Sequence, residues 1–205
     1  MPLPYAFGPV RKQKGGLRVK YYIMPYAFGL EKDGTPDAEA RVRLDKALAV
    51  TREQGGHVDP FIYLGAGMEE RARLRGVESL AASAQAYLEL KNWSKDQTVI
   101  YPNGCNTVTE TLGFFEYVTV DDYDKDSDYI AEATTSWWHA PRARMVCRLL
   151  FGGSVKVHSA PSTHRGFDLL YGIMREVAAF PLSAFHAWHL ARERRLYSQL
   201  RGQGK

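Results

Sequence analysis

DYIAEATTSWWHAPRARMVCRLLFGG, residues 128–153, is the stretch that decides the fold. It opens on a short β-like run at 128–134. It then crosses a polar junction, Thr134-Thr135-Ser136-Trp137-Trp138-His139-Ala140-Pro141-Arg142. From about Pro141 the pattern becomes helical, and Gly152-Gly153 ends it. A strand that feeds directly into a helix is half of the unit from which parallel sheets are built.

The same alternation recurs on both sides. Upstream, 17–23 (LRVKYYI) reads as a first strand. Thr35 and Pro36 read as cap and first position of a helix running to about Gln54, which Gly55-Gly56 closes. A second strand, 60–64 (PFIYL), lands on Gly65-Ala66-Gly67 and precedes an Ala- and Leu-rich helix at 77–90. A third strand at 97–101 (QTVIY) is followed by the turn Pro102-Asn103-Gly104. Thr107-Val108-Thr109-Glu110 then reads as a capping box, with Thr107 as cap. Downstream, 155–158 (VKVH) is a fifth strand leading into Ala160-Pro161, and 167–199 is helical with a break or kink at Pro181.

The fold class that follows is α/β: a Rossmann-like, doubly wound, mostly parallel sheet of about five strands with flanking helices and a helical C-terminal tail. The first strand is expected at its centre. Residues 1–16 form an N-terminal extension, 17–180 the α/β domain, and 181–205 a C-terminal helix and basic tail. A repeat, PYAFG at 4–8 and again at 25–29, is assigned no role.

Composition narrows the class further. A chain of 205 residues, 45% hydrophobic and 24% charged, supports one globular domain. No apolar run approaches the roughly 18–20 residues that span a bilayer. The first residues carry prolines and charges where a signal peptide needs an apolar stretch. A cytoplasmic location is therefore expected. The 2 cysteines build no disulfide framework and lack metal-ligand spacing. His186 and His189 lie one helical turn apart without an HExxH context, so no metal site is predicted. The net charge of +4 is mild. Basic residues gather at both ends, including Arg11, Lys12, Arg192 and Arg194, but no aromatic-interleaved basic stripe accompanies them. Solvated termini account for them, and nucleic acid is not favoured.

In open α/β sheets ligands bind beyond the carboxyl ends of the strands. The loops there carry Tyr26, then Gly65 and Gly67, then Asn106 and Thr107, and finally the junction at 134–142. Gly65 and Gly67 would let a ligand approach the backbone, although no complete GxGxxG or P-loop lysine is present. A helix start favours an anion, and Arg142 in its first turn opposes the helix dipole unless it faces one. His139 is a candidate acid or base, with Ser136 beside it as a second catalytic candidate. Each has a plain alternative: Thr107 and Glu110 as capping box, Trp137 and Trp138 as packing, Cys105 as an inert thiol.

The segment TTSWWHAPRARMVCRLLFG resembles the most distinctive stretch of the YdcF/SanA/ElyC-like family (domain of unknown function 218). There a strand end gives Thr-Ser, His, then Arg-Ala and a helix closing on Gly, matched by Thr135, Ser136, His139, Arg142, Ala143 and Gly152. Asn106-Thr107, Gly65 with Gly67, Glu78 ahead of the Ala-rich helix, Arg43 and Arg175-Glu176 match further family positions in order. Tyr101 and Gly104 stand where the family has an acidic residue and a serine. The resemblance spans roughly residues 17–180. It implies ligand-binding roles for Gly65, Gly67, Glu78, Asn106, Thr107, Thr135, Arg142 and Arg43, and S-adenosylmethionine as the expected cofactor of the soluble YdcF branch.

Three functions follow as expectations. One is a transferase or hydrolase on a phosphate- or carboxylate-bearing metabolite, with His139 as acid or base and Arg142 as anion clamp. Another is a non-catalytic module for S-adenosylmethionine or a nucleotide, stacked on Trp137 or Tyr26. The third is a protein partner, or a homo-oligomer, docking through the basic C-terminal helix.

Overall fold

A computed structural model describes residues 19–26, 29–66, 72–104, 106–121, 129–152 and 155–203. Five strands, β1 (Val19–Pro25), β2 (Val58–Ala66), β3 (Thr98–Gly104), β4 (Tyr129–Ser136) and β5 (Lys156–Ala160), pair in parallel in the order β3-β2-β1-β4-β5. The first strand is central, as expected. Among the described residues, the α-helices that connect and follow them are α1 (Ala38–Glu53), α2 (Leu80–Leu90), α3 (Thr107–Glu116), α4 (Ala140–Phe151) and α5 (Gly166–Gln203).

The period of two along each strand divides the core. Tyr21, Ile23, Ile62 and Leu64 pack under α1 and α2 with Leu44, Ala47, Leu80 and Leu88. Tyr22, Met24, Tyr63, Ala131 and Ala133 face the other way, against Val108 and Phe114 of α3 and Val146, Cys147 and Leu150 of α4. Helices therefore cover both faces, and each fully buried Leu or Ile contributes about 1.5–3 kcal/mol. The fold is doubly wound. The return from β3 to β4 reverses the direction of growth, which puts the topological switch point between β1 and β4.

The helix starts differ from the sequence expectation. Asp37, not Thr35, caps α1, accepting from the Ala40 amide at 2.7 Å. Thr35 instead closes a tight turn on Asp33 through its amide and hydroxyl, at 3.0 and 2.7 Å. Ser79 caps α2, which begins three residues later than its Ala-rich composition suggests. Most consequential, Asn106 caps α3. Its side chain accepts from the amides of Val108 and Thr109, and the Thr109 hydroxyl accepts from the Asn106 amide. The capping box is thus Asn106–Thr109, one residue earlier than the Thr107–Glu110 reading. An Asx side chain is as good a cap as Thr, and its position fixes the frame. Helix α4 ends on Gly152 in the left-handed region, φ 74°, where glycine has no steric penalty. Of the expected break or kink at Pro181, a break does not occur, since α5 runs through it as one helix.

Candidate functional site

At the switch point two compact polar centres flank the end of β4, one on each side of the sheet. The first grows from α1. Glu39 and Arg43 stand one helical turn apart and are both buried, with a 3.7 Å ion pair between them. Ser136, at the last position of β4, donates a short hydrogen bond to Glu39 and accepts from Arg43 Nε at 2.8 Å. The other carboxylate oxygen of Glu39 accepts from the Thr163 amide at 2.7 Å, the Thr163 hydroxyl at 2.8 Å and the Ser162 hydroxyl at 3.2 Å. Burial pushes the Glu39 carboxyl up, but the bonds from Ser136 and Thr163 outweigh it and hold the group below its ordinary range. Arg43 also reaches the Tyr26 carbonyl, at 3.5 Å, and lies over the Trp138 ring at 5.8 Å.

The second centre grows from α4 on the opposite face. His139, the residue before α4, is 6% exposed. Its Nε2 lies 3.2 Å from the Thr107 hydroxyl, and its Nδ1 lies 3.4 Å from Glu176 Oε1 on α5. Nδ1 also lies 3.4 Å from Arg142 Nη2, so it faces an acceptor and a donor at once. With the hydrogen on Nδ1 the ring donates to Glu176 and accepts from Thr107 at Nε2; with it on Nε2 the ring accepts from Arg142 and donates to Thr107. Arg142 donates to Glu176 Oε1 at 2.8 Å and brings Nε to 2.7 Å from Oε2, a close but poorly directed charge contact. Burial pushes the His139 imidazole down to about 4, with Glu176 opposing and the two guanidinium groups reinforcing, so the ring is neutral at physiological pH. Burial raises Glu176, but the His139 hydrogen bond and Arg142 bring it below the ordinary range. Tyr26 and Trp138 flank the ring at 5.6 and 6.0 Å.

Several expected site residues are thus brought together: Thr107, Ser136, His139, Arg142 and Arg43. Thr135 is fully buried beside them, and its hydroxyl has no hydrogen-bond partner among the described residues. Their pairing differs from the expected one. Ser136 belongs to Glu39 and Arg43, on the face opposite His139, because alternation along β4 turns it toward α1. Arg142 faces a carboxylate of its own chain, so its charge is compensated from within. Asn106 is exposed and serves α3 as its cap. Gly65 lacks a side chain for packing reasons: a Cβ there would stand 2.8 Å from the Tyr63 ring. Glu78 is exposed and lines a groove of about 330 Å³ with Thr35, Ala82, Tyr87 and Leu90. It makes no contact with either centre among the described residues. Gly67 and Cys105 lie outside the described residues. Tyr26 is buried with its hydroxyl against Thr111 and Cys147, at 2.7 and 3.2 Å, and so is core rather than a stacking platform. Trp137 is 48% exposed.

Sequence reasoning missed Glu39, Ser162 and Thr163 and gave Glu176 no role of its own. A signal existed for Glu39. It and Arg43 share a face with Ala40, Leu44 and Ala47, the core face of α1, where an unpartnered charge would be costly.

Among the described residues no helix is long and apolar enough to cross a membrane. Among the same residues, no cluster of three or more His, Cys, Asp or Glu is arranged to hold a metal ion. Set against known proteins, the chain matches no family model, no curated protein and no solved structure. Fold and site together define a Rossmann-like α/β domain with a buried charged centre on each side of its switch point.

Proposed function

We propose that this chain is a YdcF-like protein that binds a small metabolite bearing a phosphate or carboxylate at the carboxyl ends of β1 and β4, with His139 as its acid–base group. The observation that carries the reading is the pair of buried Arg–Glu contacts, Arg43 with Glu39 and Arg142 with Glu176, on either side of a neutral imidazole. Buried ion pairs are weak contributors to stability, and apolar replacements are often neutral or stabilising. Charges concentrated at a switch point, with ionisation displaced by burial, are what a reactive or binding site requires. The starts of α3 and α4 converge on the same place and favour negative charge. A ligand anion would compete with Glu39 or Glu176 for the guanidinium groups.

The test is to release whatever the freshly purified native protein holds and identify it by mass spectrometry. Thermal unfolding with added phosphate, a nucleotide or S-adenosylmethionine complements it. A released anionic metabolite, or stabilisation by one of these probes that Arg142→Gln weakens, supports the reading. An empty protein indifferent to all three overturns it.

A further inference from the structure

The shift of the α3 cap by one residue changes what Thr107 can do. As a cap, its hydroxyl would be spent on the amides of its own helix. With Asn106 in that position, the hydroxyl is free to face His139 Nε2 at 3.2 Å. Behind the ring, Nδ1 faces both Glu176 Oε1 and Arg142 Nη2 at 3.4 Å, and Arg142 in turn holds Glu176. In the tautomer with its hydrogen on Nδ1, toward Glu176, Nε2 is the acceptor for Thr107. Hydroxyl, imidazole and carboxylate thus stand in one line, contributed by α3, the start of α4 and α5, each 5–6% exposed. This is the arrangement in which a ring nitrogen removes a hydroxyl proton while the carboxylate fixes the tautomer and steadies the cation that forms.

We infer that Thr107 is a nucleophile in an acyl-transfer reaction, with His139 as its general base and Glu176 as the residue that positions His139. This rests on the reading of the same site as a ligand-binding centre and names its chemistry: hydrolysis of a carboxylic ester. As Thr107 Oγ1 forms its bond to the acyl carbon, its proton passes to His139 Nε2. Collapse of the tetrahedral adduct breaks the bond to the leaving alcohol, which departs with that proton. Water then adds to the acyl-threonine and gives a proton to Nε2. The proton returns to Oγ1 as the free acid leaves. No oxidant or further reactant is needed.

Two neighbouring observations fit. Thr135 shares the parity of Ala131 and Ala133, which pack on the α3–α4 face, so its unpartnered buried hydroxyl lies on the side of Thr107 and His139, where a substrate oxygen would find it. Thr107 is also the first residue of α3, where the helix dipole favours developing negative charge.

The experiment uses the full chain and p-nitrophenyl acetate, with release of p-nitrophenol followed spectroscopically and the acylated peptide located by mass spectrometry. The expected result is an acetyl group on Thr107. It should be absent from Thr107→Val and retained on the new residue in Thr107→Ser. It should form about 10²–10⁴-fold more slowly in His139→Gln. Glu176→Gln should slow the reaction and also move the acid limb of its pH profile downward, because Glu176 is what holds the imidazole's proton affinity up. A purely structural role would leave that limb in place. Acetylation elsewhere, on Ser136 or a lysine alone, overturns the assignment. So does a rate indifferent to His139→Gln, or a phosphoryl adduct formed instead from p-nitrophenyl phosphate. If the protein is stabilised by anions but never acylated, the nucleophile falls and the binding reading stands. If it is acylated on Thr107 yet indifferent to every anion, the reverse holds. Should Thr107→Val fail to fold, the site of the adduct on the wild-type chain decides.

Discussion

The two polar centres at the end of β4 are built from the same parts and differ in how far their bonds are satisfied. Each sets one arginine against one glutamate at the edge of the sheet and adds hydroxyl partners. In the Glu39 centre the carboxylate takes bonds from Ser136, Ser162 and both donors of Thr163, which ties α1 to β4 and to the loop after β5. In the His139 centre Arg142 grips Glu176 closely, but the contacts of the ring itself are long, at 3.2 and 3.4 Å, and that titratable ring stands in the middle. A saturated network holds elements in place. A looser one with a proton acceptor at its centre can change state. The first centre reads as the scaffold of the second.

The largest expected effect tests that division. Arg43→Ala leaves Glu39 buried with its nearest cation gone, and breaking a buried pair from one side costs about 3–5 kcal/mol. Urea denaturation should show a loss of that order. Any surviving acylation should fall only as the folded fraction falls. A folded Arg43→Ala protein without activity would place Arg43 in the reacting centre and dissolve the contrast.

Next in size is a pH effect confined to the His139 centre. The unfolded imidazole gains its proton near 6.5, whereas burial delays this in the folded chain to about 4. Acid therefore favours unfolding. The stability that the neutral ring contributes is complete above pH 6.5 and is lost as pH falls toward 4, a span worth about 3 kcal/mol. Glu39 and Glu176, both held below the ordinary carboxylate range, begin to lose their contributions only as pH falls through the unfolded value of 4.5, at the foot of that span. Denaturation midpoints between pH 7 and 4 should slope in the wild type and flatten in His139→Gln. A slope that survives the substitution assigns the effect to another group.

The fold was legible because its signals are local and repeated. Strand after strand gives way to a capped helix, two of these helices closed by glycine pairs in the sequence, and a parallel sheet needs little more. The residues His139, Arg142, Ser136 and Thr107 were legible as a group because strand ends bring them to one edge. Who pairs with whom was not. Ser136 and His139 are neighbours in sequence, yet β alternation and the turn at 137–139 send them to opposite faces. Glu176 lies 34 residues beyond Arg142, and only the packing of α5 on α4 brings the two together. A charged residue on a helix carries no mark of which distant partner it meets. Gly65 misled for a related reason: a missing side chain reads alike whether a ligand or a tyrosine ring takes its place.

The smallest expected effect bears on the hinge between structure and chemistry, the neighbours Asn106 and Thr107. Asn106→Ala removes two acceptor bonds from the α3 amides and should cost about 1 kcal/mol. Thr107→Val removes a single bond to His139 and should cost about 1 kcal/mol as well, so stability alone does not separate them. Their chemistry should. Asn106→Ala keeps the nucleophilic hydroxyl and frays only the turn that carries it, so acylation slows modestly while the adduct stays on Thr107. Thr107→Val leaves the cap intact and abolishes the adduct. Were Asn106→Ala to abolish it too, at equal helix content by circular dichroism, the cap would be part of the site, and the one-residue shift that separates scaffold from chemistry in α3 would no longer divide them.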